Sequence, residues 1–174
     1  PAANADWFKP SKADQLKLGK RAAEDVRKQE KVLPEGDARV LKLREIAREL
    51  MRAMKPAQDE PWEYSFDVIE SKDVNAFALP GGPVFFYTGL YDKLETEDQV
   101  AGILAHEITH VRREHWASAY ADHQRRQLGL TAILLFLRPN DTLVNVLSIG
   151  NDLIYGLPYS RRAETEADER GVDL

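Results

Sequence analysis

Apolar side chains recur every three or four residues in the first third of the chain, and this spacing predicts two amphipathic helices. The first helix is predicted over residues 11–32, with Ser11 and Asp14 as an N-terminal cap pair and a break at Pro34. The second is predicted over residues 37–54. Charged residues fill the remaining positions of both helices, which is typical of solvated faces.

The pattern changes to the period of β-strands after residue 61. Apolar and polar side chains alternate over residues 62–68, as in a strand with one buried face. Two further strands are predicted over residues 74–79 and 84–88, on either side of a tight Pro-Gly-Gly-Pro turn. These segments predict a small antiparallel sheet, and an edge of such a sheet can accept a peptide as an added strand.

Helical spacing returns in the second half of the chain. Thr96 and Gln99 form a capping box, which begins a helix predicted to reach Tyr120 or beyond. Its apolar stripe consists of Val100, Leu104, Ile108 and Val111. Apolar helices follow over residues 128–137 and 142–155, and a last helix starts near residue 160. The prediction is an α+β protein that is mainly helical. A helical segment (1–58) packs on a core (59–174) in which the small sheet lies beside the helix that starts near Thr96.

Composition narrows the classes of function. The chain has 174 residues, a net charge of −5, four His and no Cys. The acidic balance argues against nucleic-acid binding, which requires a basic surface. Without Cys, any metal must be held by His nitrogen and carboxylate oxygen. The longest apolar run, 128–137, is shorter than the ~20 residues that cross a bilayer, so no transmembrane segment is expected.

Residues 106–110 read His-Glu-Ile-Thr-His, the pattern H-E-x-x-H, within a segment predicted to be helical. His106 and His110 lie about 40° apart around such a helix, one turn from each other and opposite the apolar stripe. Two imidazoles in this arrangement can hold one Zn²⁺. Glu107 is offset from them, where it can take a proton from water held at the metal and pass it to a leaving amine.

A catalytic zinc site uses three protein ligands and leaves one position open. In the extended pattern H-E-x-x-H-x-x-G-x-x-H, the last His is the third ligand. This chain does not follow that pattern, because Arg113 and Trp116 occupy the Gly and His positions. His115 lies one residue from the required place. Its helical phase puts it on the apolar side, and it is interpreted as a structural residue.

The C-terminal helix offers carboxylates instead. Glu164 and Asp168 are four residues apart and share a helix face. Glu164 can ligate the metal, and Asp168 can accept a hydrogen bond from a ligand His and fix its tautomer. Glu166 points about 200° from Glu164 and is expected to face elsewhere.

These motifs resemble the HtpX, BepA and CAAX-prenyl-protease family of zinc metallopeptidases. The resemblance rests on His106-Glu-Ile-Thr-His110, on Ser160-Arg161 with Glu164-x-x-Ala167-Asp168-x-x-Gly171, and on segments 74–82 and 87–90. It covers residues 60–174 and implies a zincin-like metalloprotease fold. It also implies one Zn²⁺ per chain held by His106, His110 and Glu164. Glu107 is then the base, and Asp168 accepts a hydrogen bond from a ligand His.

Family members embedded in the membrane have spanning helices that no segment here matches, so the resemblance points to the soluble, bacterial BepA-like branch. In that branch a helical repeat domain often follows the catalytic domain. This chain stops at Leu174, and the core is expected to continue past that residue or to be truncated there. The resemblance favours the bacterial periplasm or cell envelope and is compatible with peripheral membrane association.

The predicted function is zinc-dependent endopeptidase cleavage of unfolded or misfolded proteins, with Glu107 as general base and a polypeptide as substrate. Asn75 and Arg161 are candidate donors to the oxyanion. The alternatives, which carry at least equal weight, are that Asn75 hydrogen-bonds to the backbone and that Arg161 is an ordinary surface residue. Strand 74–79 or strand 84–88 is expected to pair with the substrate. The alternative is a latent protease that acts as a chaperone-like, client-binding module in envelope protein quality control. A hydrolase of non-peptide amides is a weaker alternative.

Overall fold

The computed structural model describes residues 7–54, 60–137 and 161–172. Its elements, in chain order, are α1 (Lys12–Gln29), α2 (Ala38–Ala53), β1 (Ser65–Ile69), β2 (Ala76–Ala78), β3 (Pro83–Tyr87), α3 (Thr88–Tyr91), α4 (Glu97–Arg112), α5 (His115–Leu137) and α6 (Arg161–Val172). The prediction of a mainly helical α+β protein is confirmed. The helix predicted over 142–155 lies outside the described residues.

Side-chain caps fix the starts of three helices, and the sequence predicts those at Ser11 and Thr96. The Ser11 hydroxyl accepts a hydrogen bond from the Asp14 backbone N–H at the start of α1. The Asp37 carboxylate caps α2 in the same way. Thr96 and Gln99 form the predicted capping box at the start of α4. Each cap supplies an acceptor to an N–H group that has no partner inside the helix.

The sheet has the order β1-β3-β2 and is mixed. β2 and β3 form an antiparallel hairpin around the glycine turn, with Phe77 opposite Phe85. β1 and β3 are parallel, with Phe66 opposite Val84. The prediction of a purely antiparallel sheet is therefore wrong. The chain crosses from β1 to the far edge before it forms the hairpin, and the returning strand β3 then runs in the same direction as β1.

Both faces of the sheet are covered by helices. Val68 and Phe86 pack with α2 and α4 on one face. Ile69 and Phe85 pack with α1 on the other face. The prediction of one buried face for residues 62–68 is wrong where the strand forms, because all residues from 66 to 69 are buried. The polar member of that run, Asp67, is buried with its neighbours.

Asp67 is buried because two arginines neutralise it. Arg27 of α1 donates to its carboxylate at 2.6 Å, and Arg44 of α2 donates at 3.0 Å. The Asp67 side chain is 9% exposed, whereas both arginines reach solvent. Because both arginines reach solvent, removing either one should destabilise the fold by less than the ~3–5 kcal/mol typical of fully buried pairs. The network joins α1 and α2 to the middle of β1.

The long helix predicted from residue 96 to about 120 is broken into α4 and α5, so its prediction as one continuous element is wrong. Glu114 adopts φ 54°, a left-handed conformation that ends a helix. Its carboxylate accepts a hydrogen bond from Gln15 of α1 at 2.7 Å and lies 3.6 Å from the Lys9 ammonium. The apolar segment 128–137 is the C-terminal part of α5.

α6 packs along α4 and completes the region where the candidate residues meet. Ala167 of α6 is fully buried. A Cβ added at Gly171 would lie 3.3 Å from the His106 backbone nitrogen, so glycine allows the two helices to approach closely here. Among the helices in the described ranges, none combines the length and apolar character needed to span a membrane.

Candidate metal centre

Three ligand atoms converge between α4 and α6. The Nε2 atoms of His106 and His110 lie 2.9 Å apart. The carboxylate oxygens of Glu164 lie 3.6 Å from His106 Nε2 and 3.8 Å from His110 Nε2. Ligands at 2.0–2.1 Å from one tetrahedral zinc ion are separated by about 3.3 Å, close to these distances. The structure thus brings together the three residues that the sequence proposes as metal ligands.

The orientation of His106 fits a metal ligand. Its Nδ1 lies 2.9 Å from an Asp168 carboxylate oxygen. If Nδ1–H donates to that carboxylate, Nε2 carries a lone pair that faces His110 and Glu164. This is the contact that the sequence proposes for Asp168, and carboxylate–imidazole pairs of this kind are common behind metal ligands.

Glu107 lies beside the three ligands, on the side of α4 that faces β2. Its carboxylate accepts a hydrogen bond from the backbone N–H of Ala78. It is not one of the three converging residues. Glu107 therefore occupies the place expected of a proton carrier, next to the centre but outside the ligand set.

Comparison with known proteins identifies the family. The profile described as Peptidase family M48 matches residues 37–174. The chain belongs to this family. The match confirms the prediction of a metallopeptidase domain and the sequence resemblance on which it rests.

Several proteins are similar to much of this chain. A bovine protein named "Metalloendopeptidase OMA1, mitochondrial" is 33% identical over 82% of this chain. A fission-yeast protein, "Mitochondrial metalloendopeptidase OMA1", is 31% identical over 91%. The "Beta-barrel assembly-enhancing protease" of Escherichia coli O157:H7 is 37% identical over 71%. The matched parts make up 29%, 47% and 27% of these relatives, so the chain spans less than half of each.

His110, the second of the three proposed ligands, contacts another histidine. His110 Nδ1 lies 2.9 Å from His115 Nδ1. His115 is buried, with 7% of its surface exposed. The interpretation of His115 as part of the apolar side assumes that α4 continues through residue 115. The break at Glu114 turns the ring toward His110 instead.

Glu166 lies behind His115. Its carboxylate is 3.5 Å from His115 Nε2 and is paired with Arg113 and Arg170. It does not join the three converging ligands, in keeping with its predicted direction away from Glu164. Its partner His115 was not predicted, because that contact depends on the break between α4 and α5.

Burial sets the protonation of the centre. The pKa of His110 is lowered to about 3 by burial and then by the neighbouring His106 and His115, so its imidazole is neutral and able to ligate. The pKa of Glu107 is raised to about 7 by burial and then by the charge of Glu164, while the Ala78 N–H acts in the opposite direction. A carboxyl group with a pKa near neutrality can both accept and release a proton.

Asn75 and Arg161 both lie at the surface of the described structure. Asn75 is exposed just before β2, and its backbone carbonyl accepts a hydrogen bond from Tyr87. Arg161 is exposed at the first position of α6, and its carbonyl accepts from the Thr165 hydroxyl. These backbone contacts hold the strand entrance and the helix start, and they do not assign a catalytic role to either side chain.

Proposed function

We propose that this chain carries the catalytic core of a zinc-dependent metalloendopeptidase. The convergence of His106, His110 and Glu164, with the Glu107 carboxyl group beside them, is the observation that supports this proposal. Two imidazoles and one carboxylate are a ligand set typical of catalytic zinc sites in hydrolases. When bound at such a site, zinc supplies a Lewis acid that lowers the pKa of water and polarises a carbonyl group.

Glu107 is the proposed general base and acid. In the metal-free site burial raises the pKa of Glu107 to about 7. With zinc bound, the Glu107 carboxylate is the group proposed to accept a proton from the attacking water and to deliver that proton to the departing amine nitrogen. The hydrogen bond from Ala78 keeps the carboxyl group between α4 and β2. Asp168 orients His106, so that the Nε2 lone pair faces Glu164 and His110.

β2 is the proposed site of substrate pairing. β3 cannot add another strand, because it is bonded to β1 on one side and to β2 on the other. Leu79 N–H donates to Pro83, and Tyr87 N–H donates to the Asn75 carbonyl, so the alternate residues Ala76 and Ala78 direct their backbone groups away from β3. Because the Ala78 N–H donates to Glu107, the groups proposed to pair with substrate are those of Ala76 and the Ala78 carbonyl. Backbone pairing at this edge favours an extended, unfolded polypeptide.

Asn75, next to β2, and Arg161, at the start of α6, remain the proposed donors to the oxyanion. The bacterial periplasm or cell envelope remains the proposed compartment. The names of the relatives include mitochondrial proteins as well as a bacterial protease, and they do not choose between these locations.

The 174-residue chain loaded with one equivalent of zinc is expected to cleave casein. A chelator should stop cleavage, and added zinc should restore it, because coordination of zinc by the three proposed ligands is reversible. Gel analysis of timed digests measures this directly. Retention of casein without cleavage by protein that holds stoichiometric zinc would replace this proposal with the chaperone-like, client-binding function.

A further inference from the structure

We infer that His115 is a positioning residue for the proposed metal centre, acting through His110. The two Nδ1 atoms lie 2.9 Å apart, and their rings meet edge to face with centroids 4.9 Å apart. Both residues are buried, with 3% and 7% of their surfaces exposed. The contact therefore lies in a dry region where a hydrogen bond fixes a ring orientation more firmly than it does in water.

The pattern of donors and acceptors is self-consistent when His110 acts as a metal ligand. Its Nε2 must then be free of a proton, so its Nδ1 carries one and donates it. The acceptor is Nδ1 of His115, which must be unprotonated there and protonated at Nε2. His115 Nε2 in turn lies 3.5 Å from a carboxylate oxygen of Glu166. That oxygen is the acceptor that the Nε2–H group faces.

Three neighbours hold this arrangement in place. The guanidinium groups of Arg113 and Arg170 both pair with the Glu166 carboxylate. Glu114, immediately before His115, has the positive φ that turns the chain out of α4 and sets the direction of the His115 ring. The result is a line of contacts from Glu166 through His115 to His110.

The Nδ1 atoms of the two proposed ligand imidazoles thus have different partners. His106 contacts the carboxylate of Asp168 directly, and that carboxylate is largely exposed. His110 contacts a buried imidazole, and a carboxylate lies one residue further away. The role of His115 rests on the proposed metal centre. It goes beyond that proposal, because the three ligands and Glu107 do not require a residue at this position.

The test compares two substitutions whose side chains branch at the same carbon, one polar and one apolar. In His115→Asn the side-chain carbonyl oxygen occupies the place of Nδ1 and can accept the proton of His110, whereas His115→Leu has no acceptor. Zinc affinity is measured by competition with a chromophoric chelator. His115→Leu is expected to bind zinc about 10–100-fold more weakly than the parent, and His115→Asn is expected to recover most of that loss.

Urea unfolding of the metal-free proteins distinguishes a positioning role of His115 from a purely structural role, because it measures the free energy of unfolding independently of zinc affinity. The Leu and Asn variants are expected to have similar free energies of unfolding although their zinc affinities differ. Equal zinc affinity in the parent and the Leu variant, or equal losses in the Leu and Asn variants, would overturn the inference. Failure of the parent itself to bind zinc would overturn the metal centre, an outcome that is distinct from either of these.

A second pair of variants keeps the inference testable if His115→Leu does not fold. Glu166→Gln removes the negative charge that faces His115 Nε2, and it is expected to weaken zinc binding several-fold. Glu169→Gln, at an exposed position on the same helix, is the matched control and should bind zinc as the parent does. Identical zinc affinity for both Gln variants would contradict the role of Glu166 behind His115.

Discussion

Glu107→Gln is expected to reduce kcat for casein by about 10²–10⁴-fold while the zinc content stays equal to that of the parent. Glutamine has nearly the same shape, but its amide cannot accept a proton from water or return it to the leaving nitrogen. Zinc retention is expected because Glu107 lies outside the set formed by His106, His110 and Glu164. Initial rates and metal analysis on the same preparation measure both quantities.

The matched control for this variant is Glu169→Gln, which makes the same chemical change at an exposed position of α6. It should retain the kcat and the zinc content of the parent. Parent-like cleavage by Glu107→Gln would remove Glu107 from its role as base. A joint loss of activity and zinc would instead mean that Glu107 supports the metal rather than the proton transfer.

Glu164→Ala is expected to lower zinc affinity by more than about 100-fold, since loss of a direct ligand should exceed the 10–100-fold effect typical of residues behind ligands. Its carboxylate oxygens lie 3.6 Å and 3.8 Å from the two imidazole Nε2 atoms. The side chain is 47% exposed, so its removal leaves no buried cavity and the fold should persist. Chelator competition gives the affinity, and circular dichroism checks the fold.

Glu169→Ala on the same helix controls for the general effect of an alanine at an exposed glutamate. It should bind zinc with parental affinity. Tight, stoichiometric zinc in Glu164→Ala would show that another group supplies the third ligand. Such a result would leave His106 and His110 in place but would separate α6 from the metal centre.

Local signals in the sequence account for most of the elements and for the core of the site. The cap at Ser11 and the capping box at Thr96 act within four residues, so they can be recognised without tertiary information. The pairing of His106 with His110 follows from helix geometry alone. The approach of Glu164 and Asp168 to these rings depends on how α6 packs on α4, and the family resemblance indicated it.

Features that depend on distant parts of the chain were not predicted. The parallel pairing of β1 with β3 results from the crossover between them, and the burial of Asp67 depends on Arg27 and Arg44 from two separate helices. The break at Glu114 is similar, because its carboxylate is held by Gln15 nearly a hundred residues earlier. Helical phase alone therefore placed His115 on the wrong side.

The most direct test of the metal centre is an anomalous-difference electron-density map of zinc-loaded crystals, recorded at the zinc absorption edge. A single strong peak per chain is expected between α4 and α6. It should lie about 2.0–2.2 Å from the Nε2 atoms of His106 and His110 and from a carboxylate oxygen of Glu164. A peak at another position, or one at this position without Glu164 among its ligands, would contradict the proposed centre.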